Sequence, residues 1–154
     1  MKTQFMIRAI ELSRENIKKG GGPFGAVIVK NGKIVGEGCN RVTASNDPTA
    51  HAEVEAIRQA CQNLSSFDLS GCEIYTSCEP CPMCLGAIYW ARLSQIYFGN
   101  TKTDAAQIQF DDNFIYQELP KPMTERRIPM TQVLPEEALK VFKLWEQKSD
   151  KMTY

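Results

Sequence analysis

The stretch that most constrains this chain is Cys78-Glu79-Pro80-Cys81-Pro82-Met83-Cys84, read together with His51-Ala52-Glu53. Cys81 and Cys84 stand at i and i+3, so on a helix both thiols face the same way. His51 is the only histidine, and Glu53 follows it two residues later. A fold that joins these stretches offers a metal one imidazole and two thiolates. Three protein ligands leave the fourth tetrahedral position of a zinc ion open, which is the layout of a catalytic rather than a structural site. Glu53 then stands as the proton carrier. Each piece alone has a plainer reading. A cysteine pair is often two small buried residues, and a lone histidine is often a hydrogen-bonded core residue. The combination, with Pro80 in front of Cys81, favours one catalytic zinc per chain, held by His51, Cys81 and Cys84.

The 154 residues suffice for one domain, 1–154, with a single core. Lys+Arg and Asp+Glu both number 18. A net charge near zero argues against a large phosphate-binding surface, so nucleic acid is not expected as a partner. No apolar run is long enough to cross a bilayer, and the first residues lack the unbroken apolar segment of a signal peptide. A cytoplasmic setting is therefore expected, with no membrane partner. There the six cysteines, at 39, 61, 72, 78, 81 and 84, serve a metal or the core rather than disulfides.

Along the chain, residues 2–19 read as an amphipathic helix stopped by Gly20-Gly21-Gly22-Pro23. Residues 24–30 and 33–39 read as a hairpin around Asn31-Gly32, the dipeptide that a type I′ turn prefers. Asp47-Pro48 reads as the N-cap and first position of a helix that carries His51 and Glu53 in its first turn or so. A strand over 72–77 leads to a helix that begins near Pro80 and runs through Ala91, and a further strand covers 93–99. Beyond Asn100 the pattern weakens. Residues 110–116 read as a short helix or turn with aromatic anchors, 125–134 as a short strand, and 135–148 as an amphipathic helix. This order predicts an α/β fold of three layers, α/β/α, around a mixed central sheet.

The sequence resembles the cytidine-deaminase-like superfamily, whose signature is H-x-E followed by P-C-x-x-C. Within it the sequence closely resembles bacterial guanine deaminases. That likeness runs from the first helix to the last residue. Its narrower signals are Trp90 at a helix end, Phe110-Asp111-Asp112 and the terminal Tyr154. The resemblance implies a reaction in which guanine and water give xanthine and ammonia. It also implies binding roles for Asn40, Asp112 and Tyr154. Read from residue chemistry alone, Asn40 is a turn residue and Asp112 a helix cap. Asp111 and Asp112 are both open as the pocket-facing acid. A planar purine needs aromatic or apolar walls, for which Phe24 and Trp90 are candidates. The resemblance further implies a homodimer in which the tail 149–154 is exchanged, so that Tyr154 closes the partner's pocket.

The rival readings are a tRNA adenosine deaminase, a deaminase of cytosine or another small amino-heterocycle, and a non-catalytic zinc module. The metal motif is shared by the first two. The third would need a fourth protein ligand, for which Cys78 is the nearby candidate.

Overall fold

The computed structural model describes residues 2–154. The elements in order are α1 (Lys2–Lys18), β1 (Gly25–Lys30), β2 (Lys33–Cys39), α2 (Val42–Ser45), α3 (Ala52–Leu64), β3 (Cys72–Cys78), α4 (Pro82–Trp90), β4 (Gln95–Asn100), α5 (Lys102–Gln107), α6 (Asn113–Glu118) and α7 (Pro135–Gln147), with a 3-10 turn at Met123–Glu125. They fall into two compact units, one running to Asp112 and the other Asn113–Tyr154.

The first unit is built on a four-stranded sheet in the order β2-β1-β3-β4. β1 runs antiparallel to both β2 and β3, and β3 runs parallel to β4. The hairpin forms where expected. Asn31 and Gly32 both take positive φ, 50° and 74°, as the central pair of a type I′ turn does. The parallel pair needs a crossover, and α4 supplies it.

Alternation along the central strands separates the two faces of the sheet. Val27, Val29 and Tyr75 pack with Phe5 of α1. Ala26, Ile28 and Ile74 pack with Ala52, Ala56 and Ala60 of α3 and with Ile88 of α4. Helices therefore cover both faces, and the three-layer α/β fold with a mixed sheet stands as expected. α1 is also tied to β2 by a two-pronged ion pair. Arg8 Nε and Nη2 donate to Glu37 Oε1 and Oε2 at 2.8 and 2.9 Å.

The layers approach one another most closely at small residues. A Cβ on Gly36 would lie 2.5 Å from the Ala56 carbonyl oxygen, and one on Gly38 would lie 2.2 Å from that of Ala52. The alanine stripe of α3 thus rests directly on the β2 backbone. This contact seats the helix start that carries His51 and Glu53.

Three expectations change. First, α3 starts at Ala52 rather than at Asp47-Pro48. The Asp47 side chain instead accepts from the Thr49 N–H at 2.8 Å and the Thr49 hydroxyl at 2.7 Å, so it closes a local turn. Second, 125–134 forms no strand. Pro129 lacks the N–H a ladder needs, and Leu134 adopts φ 52° before α7. Third, the weak region after Asn100 holds α5. It opens with a capping box in which the Thr101 hydroxyl accepts from the Asp104 N–H while the Asp104 carboxylate accepts from the Thr101 N–H.

In the second unit, Glu118 of α6 accepts from the Arg127 N–H at 2.7 Å, and Arg126 donates to the Leu119 carbonyl at 3.0 Å. Every residue of α7 is exposed, including Val141, Phe142 and Trp145. No helix among the described residues is long and apolar enough to cross a membrane.

Candidate metal centre and active site

His51 is the N-cap of α3 and Cys81 the N-cap of α4, where Pro82 opens the helix with its preset φ. Neither cap position makes a side-chain capping bond. Their side chains are left for each other. His51 Nδ1 lies 3.6 Å from Cys81 Sγ and 3.5 Å from Cys84 Sγ. The three donor atoms all lie within 4.8 Å of one another, and among the described residues this is the one such cluster of metal-ligating side chains. Around tetrahedral zinc, with bonds near 2.0–2.1 Å to nitrogen and 2.3 Å to sulfur, donors sit roughly 3.6 Å apart. Both spacings from His51 match that separation. Cys78, the candidate fourth ligand, lies outside the cluster. Its thiol donates to the Thr101 carbonyl at 3.8 Å, and burial pushes its pKa up to about 11.

The electrostatics agree with the geometry. A hydrogen bond from the Cys84 thiol, assisted by His51, pulls the Cys81 thiol down to about 4. The same bond, with burial, pushes Cys84 the other way. The hydrogen bond with Cys81 holds the His51 imidazole above its ordinary value. The N-terminal ends of α3 and α4 add positive dipole ends that favour anionic sulfur.

Glu53 sits in the first turn of α3 and is 7% exposed. Its Oε1 accepts from the Thr76 hydroxyl at 3.2 Å, and its Oε2 lies 3.4 Å from Cys84 Sγ. The carboxylate is thus aimed at the donor cluster. Burial holds its pKa above the usual carboxylate range, as suits a group that takes up and returns a proton.

The other expected site residues divide. Phe24 and Asn40 meet where β1 begins and β2 ends, and the Asn40 N–H donates to the Phe24 carbonyl at 3.2 Å. The Phe24 ring meets Phe110 edge-on, with centroids 4.9 Å apart and planes at 90°. Asn40 Oδ1 accepts from the Val42 N–H at 3.2 Å, which orients its amide group. Asp112 is half-buried, and burial followed by the negative field of Cys81 raises its pKa. It is therefore the acid near the thiolates, while Asp111 is exposed. Trp90 is the last residue of α4 and 71% exposed, roughly 12 Å along the helix from Pro82. Tyr154 belongs to the second unit and is 75% exposed.

The sequence reading passed over Thr76. A polar residue on the face of β3 that otherwise carries Cys72, Ile74 and Cys78 is the signal that singles it out.

The cytidine and deoxycytidylate deaminase zinc-binding region matches residues 1–100. The chain is 56% identical to the guanine deaminase of Bacillus subtilis over 151 residues, 97% of each protein. The X-ray structure of guanine deaminase from Bacillus subtilis superposes with a TM-score of 0.96 at 55% identity, covering 99% of this chain and 98% of that one. A tRNA-specific adenosine deaminase of Aquifex aeolicus is 41% identical over 97 residues, 63% of this chain and 64% of that protein. With its His51, Cys81 and Cys84 donors at zinc spacing and Glu53 aimed at them, the chain belongs to the family of cytidine and deoxycytidylate deaminases.

Proposed function

We propose that this chain is a zinc-dependent hydrolytic deaminase that converts guanine and water to xanthine and ammonia. The observation that carries the reading is the Glu53 carboxylate, buried beside the His51, Cys81 and Cys84 donors. Likeness over 97% of the Bacillus subtilis enzyme supports guanine as the base.

His51, Cys81 and Cys84 would hold one zinc ion per chain. When bound, zinc lowers the pKa of a water molecule to about 7 and makes hydroxide available at neutral pH. Glu53 collects the water proton and passes it to the ring nitrogen beside the amino-bearing carbon, which makes that carbon more electrophilic. After attack, Glu53 takes the proton of the hydroxyl now on that carbon and delivers it to the amine, which leaves as ammonia while the carbonyl forms.

Asp112 accepts from guanine's ring N–H groups. Asn40, whose Oδ1 is engaged by Val42, offers its amide NH₂ to an acceptor on the base. Phe24, braced by Phe110, forms a wall for the ring.

The working enzyme is a homodimer in which the tail is exchanged and the partner's Tyr154 closes the pocket. The support is the exposed apolar face of α7, which a second copy would cover. The setting is cytoplasmic, in purine catabolism or salvage. An 18 to 18 balance of charges speaks against tRNA as the substrate.

The test is ammonia release from guanine, adenine, cytosine and their nucleosides by the purified zinc form. Guanine should lead, and Asp112→Asn should lower its turnover. Cytosine or adenine far ahead of guanine would overturn the substrate, and an unchanged Asp112→Asn would overturn that residue's role.

A further inference from the structure

We infer that Thr76 is a positioning residue that aims the Glu53 carboxylate at the metal-ligand cluster. The inference rests on the reading of Glu53 as the proton carrier. Thr76 lies in the middle of β3, paired with Ala26 on one side and with Phe98 on the other. A backbone held by ladders on both edges is the least mobile platform the sheet offers. The side chain is 2% exposed and projects to the face where Ile74 meets α3. A hydroxyl buried there costs free energy unless it is hydrogen-bonded.

Its partners explain its presence. Thr76 Oγ1 lies 3.2 Å from Glu53 Oε1 and 3.0 Å from the Cys78 carbonyl oxygen. A hydroxyl has one proton, and here both groups in reach accept it. The hydroxyl proton is shared between the carbonyl and the carboxylate, and Oγ1 stands within hydrogen-bond reach of both. Oε1 is thereby tied to the sheet. Oε2 is left as the oxygen that faces Cys84, 3.4 Å away, where proton transfer is needed. The torsions of a glutamate side chain do not set that orientation by themselves. Without the hydroxyl, the carboxylate can rotate and Oε2 loses its aim. Misplacement of a reacting group by roughly 1 Å costs on the order of 100-fold in rate.

Thr76→Val removes the hydroxyl and keeps the branched shape, while Thr76→Ser keeps the hydroxyl. In Thr76→Val, kcat for guanine should fall by about 10- to 100-fold, with KM within about threefold of the parent. Zinc should stay at one per chain, and the affinity for a non-reacting purine should be unchanged by calorimetry. Thr76→Ser should recover kcat to within about threefold of the parent. Adding Thr76→Val to Glu53→Gln should cost nothing further, because Thr76 acts through Glu53. If Thr76→Val does not fold, Thr76→Ala serves in its place with the same expectations. A near-parental kcat in the hydroxyl-free variant, beside an inactive Glu53→Gln, would make Thr76 a packing residue and overturn the inference alone. An equal loss in Thr76→Ser would do the same, since the methyl would then be what matters. A near-parental Glu53→Gln would overturn the reading of Glu53, and the inference with it.

Discussion

Replacing Gly38 with alanine should damage the active site from behind. Gly38 lies on β2, paired with Ala26, under the start of α3. Its added Cβ would stand 2.2 Å from the Ala52 carbonyl oxygen and 2.5 Å from the Ala56 nitrogen. Both are backbone atoms, so no rotamer change relieves the contact. α3 must retreat by roughly 1 Å to restore van der Waals separation in a close-packed interior. Overpacking of this kind costs about 1–3 kcal/mol. At about 2–4 °C per kcal/mol for a chain of this size, Tm should fall by about 2–12 °C. Ala52 lies between His51 and Glu53, so the retreat is centred on the site itself. A displacement near 1 Å there should lower kcat/KM by about 100-fold. Thermal unfolding, zinc content and guanine turnover measured on one preparation test all of this. Gly86→Ala is the control. It lies within α4 with no heavy atom within 4 Å of an added Cβ, and should stabilise by about 0.5–1 kcal/mol with turnover unchanged. A Gly38→Ala protein with parental Tm and parental kcat/KM would refute the argument that the glycine seats the helix.

Cys81→Ala should bring zinc well below one per chain by elemental analysis, and a variant that still held one tightly would remove Cys81 from the ligand set. Asp104→Ala should lower Tm through loss of the α5 capping box. Hydrogen bonds from Thr101 hold the Asp104 pKa below its ordinary value, so its contribution is full above the carboxylate range and lost as pH falls through the folded value. The Tm gap between parent and Asp104→Ala should therefore be widest near neutrality and close below about pH 4, whereas a gap that widened in acid would contradict the assignment. For the tail, a Glu53→Ala chain should be co-expressed with a chain truncated after Ser149 and the mixed dimer isolated. Activity there is the expected result of exchange, while full activity in the truncated homodimer would free Tyr154 from any role.

Most of what builds the site could be read from local sequence, and the reasons are specific. Asn31-Gly32 fixes the turn and the pairing next to it, Lys30 with Lys33 and Val29 with Ile34, while the register shifts beyond Val29, where Ile28 pairs with Gly36. Cys81 and Cys84 carry their spacing within a single helix start. The start of α3 was not legible, because Asp47 makes an equally good cap for a local turn, and only packing on Gly36 and Gly38 decides where the helix begins. The stretch 125–134 has β-branched and apolar residues but no strand for them to pair with, so propensity misleads there. α5 was legible through its Thr101 and Asp104 box and was passed over because six residues show no periodicity. Thr76 needed the fold, since only the sheet brings it under Glu53.

The placement of His51 and Cys81 at helix caps has an evolutionary consequence. The chemistry occupies two helix starts, whereas the residues proposed to recognise the base, Phe24, Asn40 and Asp112, lie in the connections around them. Connections tolerate insertion and replacement more readily than the elements they join. A lineage can therefore exchange its base-reading loops while the hydrolytic machinery is inherited intact. Such a scaffold diversifies by retargeting, so new specificities for amino-heterocycles arise without a new reaction having to be invented.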